Sequence, residues 1–274
     1  MSQEDETAGP ATADGLLTAI ESPPAGAAAV FGAAMPLAEK YAELLARAGV
    51  ERGIVGPAEA ERIWDRHLLN CAAIARLIPA KAAVVDVGSG AGLPGIVLAL
   101  LLPSAQFTLV ESMARRAVFL EECVQDLGLP NVQVVRGRAE ELAGHLAADV
   151  VTSRAVAPLD KLAGMCVGLI RPGGKVLAIK GASAEAELTR ARPVLARLGV
   201  TDARVLEVAS ANDAATATVV VFTAAGERRP GQGRGRDARP QAGLRSGPPD
   251  GGHGRAPGRS GGRASRPNSR RGGG

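Results

Sequence analysis

Aromatic side chains are scarce in this 274-residue chain, at 2% of the residues: one Trp, one Tyr and four Phe. That argues against a single-strand binder built mainly on stacking bases over aromatic platforms, such as an OB-fold or an RRM. Cysteine is scarce too. Cys71, Cys123 and Cys166 are odd in number and far apart, with no C-x-x-C pair, so neither a disulfide framework nor a cysteine zinc site is expected, and no metal. The longest apolar run, Ile96 to Leu102, falls far short of the roughly 18 residues a membrane span needs. The chain opens Met-Ser-Gln-Glu-Asp-Glu, acidic where a signal peptide would be basic. A soluble cytoplasmic protein of a reducing compartment, with no membrane partner, is the expectation.

What is present is unevenly distributed. The formal net charge of +4 hides a tail, 227–274, with 12 Arg, no Lys and three acidic residues, net +9. Residues 1–226 hold 20 basic and 25 acidic side chains, net −5. The tail has 14 Gly, 6 Pro and a single large aliphatic, Leu244, too little apolar surface to offset the entropy of ordering. It is expected to be disordered. Two readings stand side by side for it: an arm that holds RNA through phosphate charge, or a solvated extension without a partner.

Residues 1–26 are expected to form a disordered leader, acidic and broken by Pro23-Pro24. Residues 27–80 read as a helical cap. Val30 to Ala48 carries Leu37, Tyr41, Leu44 and Leu45 at helical spacing with Gly49 as its stop, and Glu59 to Leu77 repeats the pattern. From 81 to 226 short β-branched runs alternate with helical segments. Strands are expected at 83–87, 107–110, 132–135, 149–152, 175–179, 205–208 and 217–222, the last two as an antiparallel hairpin. Helices are expected at 94–102, 115–127, 140–146, 159–170 and 184–198. This is an α/β, doubly wound, seven-stranded Rossmann-like sheet with helices on both faces, the arrangement of class I methyltransferases.

The turn after the first strand reads Asp86-Val87-Gly88-Ser89-Gly90-Ala91-Gly92-Leu93-Pro94-Gly95. The third glycine of a dinucleotide fingerprint would fall at Leu93, so that fingerprint fails, and no Walker lysine follows. An acidic residue before G-x-G-x-G suits S-adenosylmethionine, whose amino-acid end carries a cation and which has no phosphate. Glu111 closes the second strand about twenty residues on, where a carboxylate can accept from ribose hydroxyls. A solvated residue capping the next helix is the alternative for Glu111.

The remaining chemistry is read by elimination. After the fourth strand comes Thr152-Ser153-Arg154-Ala155-Val156-Ala157-Pro158, without the Pro-Pro-aromatic turn used for exocyclic amines. The cysteines lie in apolar helical segments and read as core rather than as thiolate nucleophiles. A ring nitrogen such as guanine N7 is already an unprotonated acceptor, so it needs no base, and none is evident; His67 and His145 read as structural or exposed. Arg115, Arg116, Arg136, Arg138, Arg154 and Lys180 cluster after strand ends, where ligands bind. Together they suggest a phosphate-binding rim, though any one of them could be merely solvated.

From Glu59 to Phe222 the sequence resembles the bacterial 16S ribosomal RNA guanine-N7 methyltransferases (RsmG, or glucose-inhibited division protein B). The Leu93-Pro94-Gly95 ending of the loop is the most specific match. Trp64-Asp65-Arg66-His67, Val110-Glu111-Ser112 with Arg115-Arg116, Phe119-Leu120, Arg138-Ala139-Glu140-Glu141, Ser153-Arg154-Ala155 and Lys180-Gly181 follow in the family's order. The resemblance implies that Gly88 and Leu93 line the methionine and adenosine side of the donor, that Ala139 and Glu140 contact its adenine, and that Arg154 meets the donor's rim or the incoming guanine; Gly90 of the same loop is counted with the donor residues. It leaves no certain catalytic residue, with Arg154, Arg138 and Lys180 as positioning candidates. Arg115, Arg116, Arg138 and Lys180 are the candidate RNA contacts. The family often has Asp at the place of Glu111, Lys at that of Arg115 and Phe at that of Val156. The expected function is N7 methylation of a guanine in 16S rRNA, free or within the 30S particle, by a monomer. A non-catalytic RNA-binding or ribosome-assembly protein on the same fold, and a small-molecule methyltransferase, are the alternatives.

Overall fold

A computed structural model describes residues 21–200, 202–210 and 213–223. Residues 1–20 of the leader and the whole of the tail lie outside them. Seven strands, β1 (Ala83–Val87), β2 (Gln106–Glu111), β3 (Val132–Arg136), β4 (Ala148–Arg154), β5 (Ile170–Lys180), β6 (Arg204–Ala209) and β7 (Thr216–Thr223), form one sheet in the order β3-β2-β1-β4-β5-β7-β6. β1 to β5 run parallel, and β7 inserts antiparallel between β5 and β6. The expected doubly wound architecture and terminal hairpin are both present, and strand order reverses between β1 and β4.

Strand alternation divides the core in two. Val84, Phe107, Leu109, Leu177 and Val219 face one layer, while Val85, Val87, Val110, Val151, Val176 and Val220 face the other. The second layer packs α7 (Leu159–Val167) and α8 (Ala184–Arg197). On the first face lie α5 (Gly95–Leu101), α6 (Ala114–Leu127) and the whole N-terminal cap. The cap is wound from short pieces: α1 (Ala27–Phe31), α2 (Met35–Leu44), α3 (Pro57–Ala60) and α4 (Asn70–Ala72), with a π-wound segment at Ile63–Leu69. Trp64, 1% exposed, packs edge-on against Phe31, so the cap shares one continuous apolar core with the sheet.

Several boundaries differ from expectation. Gly49 does not end its helix: the chain winds on to Glu51 and turns at Gly53, whose φ is +60. Gly49 is instead buried where a Cβ would come within 3.3 Å of Val55. β4 extends to Arg154 rather than Thr152, and β5 begins at Ile170 rather than Lys175. Glycine weakens strands, and the pair Gly173-Gly174 precedes the strand expected from Lys175. Here Gly174 lets β5 bulge against β4, since a Cβ would sit 2.9 Å from the Asp149 carbonyl oxygen. The helix expected at 140–146 shrinks to a single 3-10 turn, Ala139–Leu142, before Gly144 at φ +83.

Candidate active site

The glycine-rich turn leaves β1 at the reversal of strand order, and its amides point inward. The Gly88 and Ser89 amides donate to the Val110 carbonyl, those of Gly92 and Leu93 to Ser89, and that of Ile96 to Gly92. The Gly90 amide donates to Glu111 Oε2 at 3.0 Å and the Gly95 amide to Asp86 Oδ2 at 3.1 Å. A pyrophosphate needs free amides at such a turn; here they are spent on the fold, which suits a donor without phosphate. A Cβ at Gly90 would have no neighbour nearer than 3.8 Å, so this stretch of backbone lies open to a ligand.

Asp86 does not serve the site as the sequence suggests. It is fully buried, accepting from Thr152 Oγ1 at 2.8 Å as well as from Gly95. Burial pushes its carboxyl up to about 6, against the lowering by the Thr152 hydroxyl. It buttresses the Leu93-Pro94-Gly95 turn from behind, shut off from solvent. Glu111, 4% exposed, accepts from the Gly90 and Met113 amides, the latter at 2.8 Å. It thereby ties the loop after β1 to the loop after β2. Tyr41 of α2 adds a third tether, its hydroxyl donating to the Ala91 carbonyl at 2.7 Å.

Three depressions open along the carboxyl ends of the strands. One, about 310 Å³, is lined by Gly88, Ser112, Arg138, Ala139 and Glu140. The next, about 220 Å³, takes in Gly88, Gly90, Leu93, Arg116, His67 and Glu59. Gly88 is common to both, so every expected donor residue except Glu111, which holds the loop from beneath, lines this two-part trough. The third and largest, about 600 Å³, lies over the ends of β4 and β5 and includes Asn70, Val156, Lys180 and Glu187. Glu59, His67, Arg154 and Ala155 line both the second and the third. Those four residues mark the junction between them.

At the junction the side chains are bonded to one another. Arg154 donates through Nη1 to the Arg66 carbonyl at 3.1 Å, and its Nη2 meets His67 Nδ1. His67 Nε2 lies 2.9 Å from Glu59 Oε2, off line for a straight hydrogen bond. Burial, reinforced by the Arg154 guanidinium, lowers His67 to about 4, although Glu59 pulls the other way. His67 is therefore neutral near pH 7, with its one free ring lone pair directed at Arg154. The chain turns sharply after Arg154 because Ala155 adopts φ +55, a conformation costly for any residue with a Cβ. The turn lays Val156 over Gly88, where a Cβ on that glycine would meet Val156 Cγ2 at 2.5 Å.

The six strand-end cations do not form one rim. Arg115, Arg136 and Arg138 are exposed. Arg116 is half-buried along the two-part trough, with Nε unpartnered among the described residues. Arg154 is committed to the cap. Lys180, 8% exposed, pairs with Glu187 at 2.9 Å and donates to the Ala157 carbonyl at 2.7 Å, so its charge braces the Ala155–Pro158 turn. The thiols are buried, and burial pushes Cys71 up to about 11 and Cys123 and Cys166 to about 12; none is a thiolate at neutral pH.

His67, Glu59 and Tyr41 are the residues that the sequence reading left out of the site. His67 had a signal, since it closes the Trp64-Asp65-Arg66-His67 motif, but a lone histidine on an apolar helix reads as core. Glu59 and Tyr41 carried none beyond helical spacing.

The GidB family, described as rRNA small subunit methyltransferase G, matches residues 34–215 of this chain. Among curated proteins, the ribosomal RNA small subunit methyltransferase G of Thermobifida fusca is 54% identical over 194 residues, covering 71% of this chain and 82% of that protein. Its counterpart in Mycobacterium sp. (strain KMS) is 52% identical over 223 residues, covering 80% of this chain and 96% of its own. That of Streptomyces avermitilis is 52% identical over 196 residues, with 70% and 82% covered.

Proposed function

The chain belongs to the GidB family of ribosomal RNA small subunit methyltransferases G, and on that premise we propose that it methylates N7 of a guanine in 16S ribosomal RNA with S-adenosylmethionine as donor. The observation that favours this acceptor atom is that, among the described residues at the junction, neither the imidazole nor the thiol is free to act as a base. His67 is neutral and its lone pair is taken by Arg154, and Cys71 beside Arg154 is a protonated thiol. A hydroxyl or an exocyclic amine would need a group to receive its proton. Guanine N7 presents a lone pair and has no proton to lose. The chain's work is then to align the acceptor with an electrophilic methyl and to keep water out.

The donor, when bound, supplies that methyl on a sulfonium. Gly88, Gly90 and Leu93 would line its amino-acid side, and Ala139 and Glu140 its adenine. Glu111 would offer the ribose hydroxyls the lone pairs that the Gly90 and Met113 amides leave, since a carboxylate accepts about four hydrogen bonds. Arg116, on the wall of the trough, suits the donor's carboxylate better than an RNA phosphate. Arg115 and Arg138 remain free for phosphate. Arg154 and Lys180 position the Ala155–Pro158 turn between donor and base.

Such an enzyme would act as a monomer in the cytoplasm, where small subunits are assembled. Among the described residues no helix is long and apolar enough to cross a membrane. The test supplies labelled donor with purified 30S particles, with free 16S rRNA and with neither, then maps the labelled base by borohydride reduction and aniline cleavage, which break the chain at 7-methylguanosine. Label in one RNA form with scission at a single guanine is expected. Label that resists scission would move the acceptor off N7. Transfer to neither RNA would overturn the rRNA reading.

A further inference from the structure

We infer that Glu59 selects guanine, by accepting hydrogen bonds from N1–H and the N2 amine of the target base; this deepens the guanine-N7 reading and rests on it. Adenine also presents N7 as an acceptor, so attack by N7 does not distinguish the two purines. One difference, O6 against the N6 amine, lies beside the reacting nitrogen; a second lies on the edge that carries N1. There guanine offers two donors, N1–H and N2–H2, whereas adenine offers a lone pair at N1. An ionised carboxylate only accepts. It matches the first edge and repels the second.

Among the described residues, two carboxylates line the large cleft, Glu59 and Glu187. Glu187 is fully engaged. Its Oε2 takes Lys180 Nζ at 2.9 Å and the Leu159 amide at 3.2 Å, and its Oε1 takes Ser183 Oγ at 3.0 Å. Glu59 is engaged on one oxygen alone. Arg66 Nε at 3.3 Å and His67 Nε2 at 2.9 Å both approach Oε2, and Oε1 has no partner among the described residues. The side chain is 38% exposed. It stands at the junction of the donor trough and the large cleft, where the accepting base must lie. Held from behind by His67 and Arg66, the carboxylate is oriented before the base arrives, which reduces the ordering cost of recognition. A base read on this edge must be unpaired and turned out of its helix, as RNA-modifying enzymes require.

The test compares guanine with inosine, which keeps N7, O6 and N1–H and lacks the N2 amine. The methylated position is first mapped with wild-type protein. 16S rRNA carrying guanine or inosine at that position is then supplied in whichever form, free or in reconstituted 30S, the wild type methylates. Wild type should prefer guanine by about ten- to a hundredfold in kcat/KM, the range for removing a hydrogen bond to a charged group. Glu59→Ala should slow guanine and bring the two substrates close to equality. If Glu59 merely props His67 and Arg154, Glu59→Ala slows both substrates alike and keeps the wild-type ratio, and the inference is overturned. Equal rates on guanine and inosine by wild type overturn it with no variant needed. Glu59→Gln, nearly identical in shape, repeats the comparison should the alanine variant fold poorly, and is expected to lower the ratio as well. Failure of wild type to methylate any guanine N7 strikes the underlying reading instead, and is recognised at the mapping step.

Discussion

Replacing His67 with Gln and following stability down the pH scale tests whether the junction is built around a neutral imidazole. Gln can accept from Arg154 through its carbonyl and donate through its amide, so it copies the neutral ring and does not titrate. In the folded protein His67 is lowered to about 4, against about 6.5 in an unfolded chain. Between those values the unfolded chain binds a proton that the folded protein refuses, so stability is lost as the pH falls. Taken from about pH 7.5 to about pH 4.5, the loss assigned to His67 is about 2.5 kcal/mol. Wild-type protein alone would not display it, because Asp86 acts in the opposite sense. Its folded value is raised to about 6, above the unfolded value of about 3.9. The folded protein then keeps a proton that the unfolded chain releases, and stability rises as the pH falls through that window. Asp86 is common to both proteins, so subtracting one urea-unfolding free energy from the other cancels it. The wild type should lose about 2.5 kcal/mol relative to His67→Gln by about pH 4.5. A difference that stays level with pH would mean that His67 takes up its proton as readily folded as unfolded. The case against His67 as a general base would fall with it.

Gly88→Val should abolish donor binding measured by calorimetry, from a φ of +65 that costs an L-residue about 1–2 kcal/mol and from a Cβ 2.5 Å from Val156; adding Val156→Ala should restore folding stability in part, and normal donor affinity in Gly88→Val would remove the loop from the donor site. Glu111→Ala should weaken donor binding by about 1–3 kcal/mol and lower unfolding stability as well, because two loop amides lose their acceptor; an unchanged dissociation constant would confine Glu111 to holding the loop. Truncation after Gly226, which spares the Thr223 bonds to Asp202, should leave donor affinity intact. It should also flatten the slope of log K for RNA against log salt by about 0.7 for each single-strand phosphate that the tail would have neutralised; identical slopes would make the tail a solvated extension.

The fold was readable from the sequence because both of its patterns are written locally. Near-continuous β-branched runs from Ala83 to Phe222 alternate with helical stretches, and a sheet buried on both faces tolerates few polar interruptions, so strand centres stood out. The glycine-rich turn was readable for a similar reason: its glycines answer a backbone demand made within a few residues. Strand ends were less clear. Whether Gly174 turns the chain or bulges against β4 depends on a neighbour across the sheet. The junction was set by tertiary structure altogether. Glu59 and His67 belong to the cap and Arg154 to the end of β4, and only packing of the cap onto the sheet brings them together. Burial, which lowers His67 and raises Asp86, likewise belongs to the assembled core. Sequence alone determined which side chains were available near the strand ends; the three-dimensional fold decided which of those charges are spent on one another, as in Lys180 with Glu187 and Arg154 with His67, and which remain for a ligand.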